Sequence, residues 1–148
     1  MEQEMQQTYS IADVVLITGL SERTVRSHIA AGFLQGEKHN GAWRFTREEI
    51  ESFVTHSAVR PGILARKNAL VYDFMLQDKK SAPEACIILD IEKGKGSAAA
   101  EFFCRRISTG TEKNIRFSYD GVKGANRVIL RGDIGAVLAI VNEYWAKQ

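Results

Sequence analysis

Apolar residues recur at helical spacing in three short segments near the start of the chain. The first segment, IADVVLITG, predicts a helix that ends at Gly19. Ser21 is a favourable N-cap for a second helix, and Gly32 ends that helix because glycine readily adopts a left-handed conformation. Thr46 and Glu49 have the spacing of a capping box, which predicts the start of a third helix.

Between the second and third helices, two short apolar segments flank a polar stretch that contains glycine. Phe33-Leu34 and the segment WRF enclose QGEKHNGA, a pattern that predicts a β-hairpin with residues 35–42 as its loop. The first part of the chain is therefore predicted to fold as helix, tight turn, helix, hairpin and helix.

The segment SAVRPGIL marks the clearest break in the chain. Proline disfavours a helical conformation at the residue before it, here Arg60, and Pro-Gly favours a turn or a linker. We therefore expect residues 1–56 to form one domain, residues 57–63 a linker and residues 64–148 a second domain.

Beyond the break, the pattern alternates between helices and strands. A helix over residues 63–77 would pack Leu64, Val71 and Phe74 inward, and the following EACIILDI is apolar enough for a central strand covered on both faces. A helix (SAAAEFFCRRI), two strands (NIRFSYD and RVILRG) and a last helix capped by Asp133 follow. The predicted fold class is α+β, with an N-terminal winged helix-turn-helix followed by a small α-β-α-β-β-α sandwich.

Composition and charge narrow the function less than the pattern does. The chain has 148 residues, of which 45% are hydrophobic and 26% are charged, values that are ordinary for a soluble globular protein. The formal net charge of +2 is small, with 6 Lys/Arg against 8 Asp/Glu in residues 1–60 and 14 against 10 in residues 61–148. An anionic partner must therefore be recognised through the placement of a few cations, because the bulk charge is too low.

The sequence indicates a cytoplasmic protein. No apolar run is long enough to span a bilayer, and the N-terminus shows no secretory signal. Cys86 and Cys104 lack CxxC spacing and lie in apolar surroundings, as structural thiols in a reducing compartment do.

No arrangement of catalytic or metal-binding residues is evident, so we expect no enzymatic activity, no cofactor and no metal. The segment KGKGS lacks the spacing of a Walker motif, and Ser97 is better explained as an N-cap. Asp90 and Glu92 have no histidine or nucleophile beside them, since all 3 histidines lie at or before position 56. The thiolate or histidine cluster of a metal sensor is also absent from the sequence.

The outward face of the second helix carries short or cationic side chains, where a solvated helix usually carries long side chains of mixed charge. On a helical wheel the buried side is defined by Val25 and Ile29, and the other side holds Arg23, Thr24, Arg26, Ser27 and Ala30. A helix that enters a DNA major groove needs this combination, because small residues allow close approach while arginine pairs with guanine edges or phosphates.

The hairpin adds Lys38, His39 and Arg44 beside this helix, where they would hold the DNA backbone as a wing. Residues 9–54 resemble the winged helix-turn-helix that MerR-type regulators share with excisionase-type DNA-binding proteins. The resemblance rests on Gly19, Ser21, Thr24-Val25-Arg26, Gly32-Phe33-Leu34, Trp43-Arg44-Phe45 and the helix from Thr46 to Phe53. It implies DNA contacts by Ser21, Arg23, Thr24, Arg26 and Arg44, so the full predicted set is Ser21, Arg23, Thr24, Arg26, Ser27, Lys38, His39 and Arg44.

The last helix is apolar around most of its circumference. Its predicted stripe consists of Ile134, Val137, Leu138, Val141 and Trp145. Such a helix is either a thoroughly buried layer or faces a second subunit. Because two-fold DNA sites mirror two-fold proteins, we expect a homodimer formed through the C-terminal domain.

The predicted function is that of a bacterial or phage transcriptional regulator, which binds double-stranded DNA sequence-specifically and whose C-terminal domain dimerises, with room for an unidentified small-molecule effector. Two alternatives remain open. One is an excisionase-like recombination directionality factor of a phage or mobile element, although residues 64–148 exceed what such a factor usually carries. The other is a small ligand-binding or enzymatic module fused to a DNA-targeting domain.

Overall fold

The structure, a computed structural model, describes residues 7–77, 82–92, 96–112, 114–121 and 126–148. In chain order the elements are α1 (Ile11–Thr18), α2 (Glu22–Ala31), β1 (Glu37–His39), β2 (Ala42–Arg44), α3 (Arg47–Thr55), α4 (Arg60–Leu76), β3 (Glu84–Asp90), α5 (Gly96–Thr109), β4 (Arg116–Asp120), β5 (Arg127–Asp133) and α6 (Ile134–Ala146). This order confirms the predicted α+β class, with a helix-turn-helix and hairpin followed by the order α-β-α-β-β-α.

The ends of the N-terminal helices form where the sequence predicted them. Gly19 and Gly32 follow α1 and α2 in the left-handed conformation, with φ angles of 76° and 84°. Ser21 caps α2 by accepting a hydrogen bond from the third backbone amide of the helix, at 3.1 Å. Thr46 and Glu49 make both hydrogen bonds of a capping box at the start of α3.

The hairpin forms closer to its turn than the sequence pattern predicted. β1 and β2 are antiparallel, with His39 opposite Ala42, so both strands reach into residues 35–42, which were expected to be loop. The cause is the pair Asn40-Gly41, whose φ angles of 52° and 81° are both positive. A two-residue turn of this kind matches the twist of the flanking strands and pairs them immediately on either side.

A three-stranded antiparallel sheet is the centre of the described C-terminal half, in the order β3-β5-β4. The prediction that EACIILDI is the central strand is wrong, because β3 lies at the edge and Ile88 is 51% exposed. β5 takes the central place, and its Val128 and Leu130 are fully buried. No residue of β3 is fully buried, so a continuous apolar run does not by itself show that a strand is central or covered on both faces.

α4 begins at Arg60, inside the segment 57–63 that was expected to be a linker. Pro61 lies in the first turn of this helix, where a backbone N–H has no intrahelical acceptor, so the missing donor costs nothing. The Arg60 guanidinium lies 2.7 Å from the Asp120 carboxylate at the end of β4, which holds the start of α4 on the sheet.

The inward side of α4 also differs from the prediction. Ile63 and Lys67 are buried, whereas Leu64, expected to face inward, is 41% exposed. Lys67 donates a hydrogen bond from Nζ to the Tyr119 carbonyl, and its Nζ lies 3.9 Å from Asp120. Burial is the main cause that lowers the pKa of Lys67, to about 8.

α1 connects the two halves of the fold. It packs against α2 within the helix-turn-helix, and it also packs against β4 and α5 of the C-terminal half. Val14 and Ile17 of α1 belong to the same buried cluster as Phe103 and Phe117. The helix-turn-helix is therefore held against the sheet by apolar packing.

α6 starts at the predicted cap, since the Asp133 carboxylate accepts a hydrogen bond from the Ala136 amide at 3.0 Å. Its predicted apolar stripe is divided between core and surface, which contradicts the alternative of a thoroughly buried layer. The residues that face the core are Val137, Ile140, Val141 and Tyr144, and the exposed apolar residues are Ile134, Leu138 and Trp145. Within the described ranges, no helix has the length and apolarity needed to cross a membrane.

Candidate nucleic-acid interface

α2 is fixed by a single buried side and leaves its opposite side exposed. Val25 is fully buried, and Val14, Ile17 and Leu20 from α1 and the following turn belong to the same cluster. After α2, the chain folds back through Leu34, which is 1% exposed. α2 therefore cannot rotate to bury its outward face without emptying this core.

The outward face of α2 is an open surface lined by two small and three charged side chains. It is lined by Glu22, Arg23, Arg26, Ser27 and Ala30. The Ser27 hydroxyl donates to the Arg23 carbonyl at 3.0 Å, so this side chain stays close to the helix backbone. Short residues in the middle and long cations at the side match the requirements of a helix that enters a DNA groove.

Ser21 and Thr24, two further predicted contact residues, form one hydrogen-bonded unit at the start of α2. The Ser21 hydroxyl accepts from the Thr24 amide and donates to the Thr24 hydroxyl, at 3.1 and 2.9 Å. The first amides of α2 add the partial positive charge that favours an anion at a helix N-terminus.

Arg23 and Arg26 are both exposed, but only Arg26 has an acidic partner among the described residues. Its Nε and Nη2 both donate to Glu22 Oε1, at 3.1 and 3.0 Å. The sequence prediction did not include Glu22, although its i,i+4 spacing to Arg26 already indicates this ion pair. The Arg23 guanidinium makes no hydrogen bond or ion pair with any residue that the structure describes.

Lys38 and His39 lie on β1, the first strand of the hairpin, and both are exposed. The Lys38 ammonium lies 5.2 Å from the centre of the Trp43 ring, which is stacked on Phe45 with 6.2 Å between ring centres. His39 Nε2 lies 3.3 Å from a Glu37 carboxylate oxygen. The hairpin thus presents one cation held against an aromatic ring and one imidazole beside a carboxylate.

Arg44 differs from the other predicted contact residues because it is half-buried. Its Nε donates to the Thr8 hydroxyl at 3.0 Å, and its Nη2 donates to the Thr8 carbonyl at 3.4 Å. Arg44 thereby ties β2 to the segment before α1, which pairs with the hairpin through Tyr9 and Phe45. Its DNA contact remains a prediction, and the structure gives it a second role in holding the hairpin.

Comparison with known proteins agrees with this geometry over the N-terminal part of the chain. Residues 8–57 match the family model of a helix-turn-helix domain, and the C-terminal half matches no family model. No curated protein and no solved structure matches the chain. Residues 8–57 therefore carry a helix-turn-helix domain of the kind that the sequence pattern predicted.

Proposed function

We propose that this chain is a sequence-specific transcriptional regulator that acts by binding double-stranded DNA and not by catalysis. The observation that carries the proposal is the exposed face of α2, where Ser27 and Ala30 leave room for close approach and two arginines extend beside them. Arginine pairs with the O6 and N7 acceptors of guanine, and with phosphates, so this face can both read and hold a duplex.

The hairpin supports the same proposal as a wing. Lys38 and His39 are exposed on β1, and we infer that they hold the phosphate backbone beside the groove that α2 enters. The Asn40-Gly41 turn keeps the hairpin tip small, so the backbone of the wing can approach the duplex. Phosphate contacts of this kind fix the register of a protein on DNA, while base contacts supply specificity.

The test is selection of duplexes from random DNA by the full-length protein, followed by footprinting. A compact operator with two related half-sites supports a dimeric regulator. Failure to enrich any sequence would overturn the proposal. An array of sites beside a recombination core would instead favour an excisionase-like factor.

We further propose that two chains associate through the C-terminal half. Ile134, Leu138 and Trp145 are exposed on one flank of α6, while Glu143 on the opposite flank lies 2.7 Å from Arg106 of α5. The apolar flank therefore points away from α5, toward the side of the sheet where β3 is the edge strand.

A second copy of this chain is the partner that fits the side of β3 and α6. Among the described residues, β3 pairs with β5 alone, so within this part of the chain its other side is a sheet edge. Such an edge is complementary to itself under two-fold symmetry, and exposed apolar side chains beside it would be covered at the same time. A two-fold protein also matches a two-fold operator.

Sedimentation across a range of protein concentrations tests this association. Leu138→Glu places a charge in the proposed interface, and we expect it to raise the dimer dissociation constant at least about a hundredfold, as a desolvated unpaired charge should. Leu64→Glu on α4 is the matched control, since Leu64 and Leu138 are 41% and 46% exposed. Equal effects of the two substitutions, or a wild-type monomer at all concentrations, would contradict the dimer.

A further inference from the structure

An acidic residue lies at the edge of the proposed DNA-binding face, at the start of α2. Glu22 lines the same exposed surface as Arg23 and Arg26, and its side chain is 62% exposed. A carboxylate beside DNA phosphates opposes binding through like-charge repulsion, so its presence there calls for a compensating role.

The hydrogen bonds of Glu22 define which edge of Arg26 remains available. A guanidinium has five N–H donors in a planar fork. The Nε donor and one Nη2 donor of Arg26 point at Glu22 Oε1, which occupies the side edge of the plane. The end of the fork, formed by Nη1 and the second Nη2 donor, makes no hydrogen bond to the described residues. Two parallel donors are what the O6 and N7 acceptors of guanine require.

We propose that Glu22 is a positioning residue that orients Arg26 to read guanine and leaves phosphate binding to Arg23. This inference rests on the proposed DNA-binding function and goes beyond it by dividing the work of the two arginines. Arg23 makes no side-chain hydrogen bond within the described residues, so it can follow the backbone as a mobile cation. Arg26 is restrained by a charged partner one helical turn away.

The charge of the same carboxylate acts without regard to sequence. By opposing phosphate binding, it weakens the attachment of α2 to every duplex. Specificity is a difference between affinities, so this uniform penalty cancels, and discrimination depends on the orientation of Arg26.

Two substitutions separate orientation from charge. Glu22→Gln removes the negative charge but keeps a side-chain oxygen at the same position, which can still accept from Arg26. Glu22→Ala removes both the charge and the acceptor. Both substitutions should raise affinity for a duplex of unrelated sequence several-fold, because the repulsion is lost in each.

The probe for orientation is the duplex selected by the wild-type protein, with single guanines replaced by 7-deazaguanine, which lacks the N7 acceptor. At one guanine per half-site the replacement should weaken wild-type binding by about five- to 150-fold, the range expected for a bidentate arginine contact. Arg26→Ala should be insensitive at that position. Glu22→Gln should keep most of the wild-type sensitivity to the replacement. In Glu22→Ala, the same replacement should weaken binding by no more than a few-fold.

The chain supplies a matched control on α3. Arg47 and Glu51 form an i,i+4 pair with the same exposed fractions as Arg26 and Glu22, 57% and 62%, and their Nε–Oε1 distance is 3.1 Å. Glu51→Ala should change neither unrelated-duplex affinity nor sensitivity to 7-deazaguanine, which separates a local role from a general effect of losing an ion pair. Circular dichroism of each variant confirms that the helices remain folded.

Failure of this inference is distinguishable from failure of the proposed function. If the wild-type protein selects no sequence, DNA-binding regulation itself is overturned. Suppose instead that the wild type selects a sequence but that Arg26→Ala stays sensitive to 7-deazaguanine at every guanine where the wild type is sensitive. That result, or a Glu22→Ala variant that discriminates as well as the wild type, would overturn the positioning role of Glu22 while DNA binding stands.

Discussion

The dependence of DNA binding on salt tests both the contact set and the dimer in one measurement. Each phosphate neutralised by Lys or Arg releases condensed counterions, so the logarithm of the association constant falls by about 0.9 per contact for each tenfold rise in salt. Arg23 on α2 and Lys38 on β1 are both exposed, and in the proposed function they are the phosphate contacts, while Arg26 is assigned to a base.

The expected slope follows from counting these cations. Two contacts per chain give four in a dimer, and hence a slope of about −3.6, which lowers affinity about 150-fold between 50 and 200 mM salt. A monomer with the same contacts would have a slope of about −1.8 and would lose affinity only about twelvefold over that range. Fluorescence anisotropy of a labelled operator, titrated at five or six salt concentrations, resolves the two values.

Single substitutions then locate the contacts. Arg23→Ala removes two phosphate contacts from a dimer and should change the slope from about −3.6 to about −1.8. Arg26→Ala should leave the slope unchanged while costing about 1–3 kcal/mol per half-site at the selected sequence. Arg44→Ala separates the two roles of Arg44, since the slope stays unchanged if the guanidinium only holds Thr8 and becomes shallower if Arg44 also neutralises a phosphate.

The assignment of contacts would be refuted by particular outcomes. An unchanged slope in Arg23→Ala would show that Arg23 does not neutralise a phosphate. A large change of slope in Arg26→Ala would place that residue on the backbone, and a change in Arg44→Ala would make Arg44 a direct contact. A wild-type slope near −1.8 would refute the dimer.

Three further predictions concern stability. Because the pKa of Lys67 is lowered to about 8 from 10.5, the unfolded chain holds more protons on this side chain between these values, and the Lys67 contribution to the free energy of unfolding should rise by roughly 3 kcal/mol through that window; in urea denaturation series, the difference between the wild type and Lys67→Met should show this rise. Burial raises the pKa of Cys104 to about 12 from 9.0, so the Cys104 contribution should fall as pH rises above about 9 and oppose that of Lys67 there, and the difference between the wild type and Cys104→Ala should show this fall. Phe117→Ala should cost about 3–5 kcal/mol and lower the unfolding midpoints reported by Trp43 and Trp145 together, measured in variants that keep one tryptophan each, whereas separate midpoints would show that the two halves unfold independently.

Features set by neighbouring residues could be predicted from the sequence. The caps at Ser21, Thr46 and Asp133 depend on hydrogen bonds between residues three positions apart, so the local amino-acid sequence is enough to predict them. The turn between α1 and α2 likewise follows from Gly19, whose positive φ angle few other residues adopt.

Features set by distant contacts could not be predicted in the same way. The edge position of β3 depends on which strand pairs with β5, and the burial of Lys67 depends on the Tyr119 carbonyl, which is far away in sequence. The predicted α6 stripe was divided because a helical wheel shows which residues share a side but not which side meets the sheet.

Most of the candidate site could be predicted from the sequence, and the structure differs from that prediction in two respects. The outward face of α2 follows from periodicity, and the structure leaves that face exposed. Glu22 was not predicted, because the search for DNA contacts considered cations first. Its ion pair with Arg26, one helical turn away, is nevertheless indicated by the spacing. The bonds between Arg44 and Thr8 could not have been predicted, since they depend on how the segment before α1 meets the hairpin.

The packing of α1 against β4 has a consequence for how a DNA-binding specificity of this kind would diverge. In the proposed dimer, the sheet would set the distance and angle between the two copies of α2, because α1 couples each copy to it through buried residues. Exposed residues of α2 can change without disturbing the core, so the bases recognised could drift by single substitutions. The spacing between half-sites could change only through a repacked interior or an altered dimer interface. Descendants of such a protein would therefore alter their operator sequence readily while keeping its length.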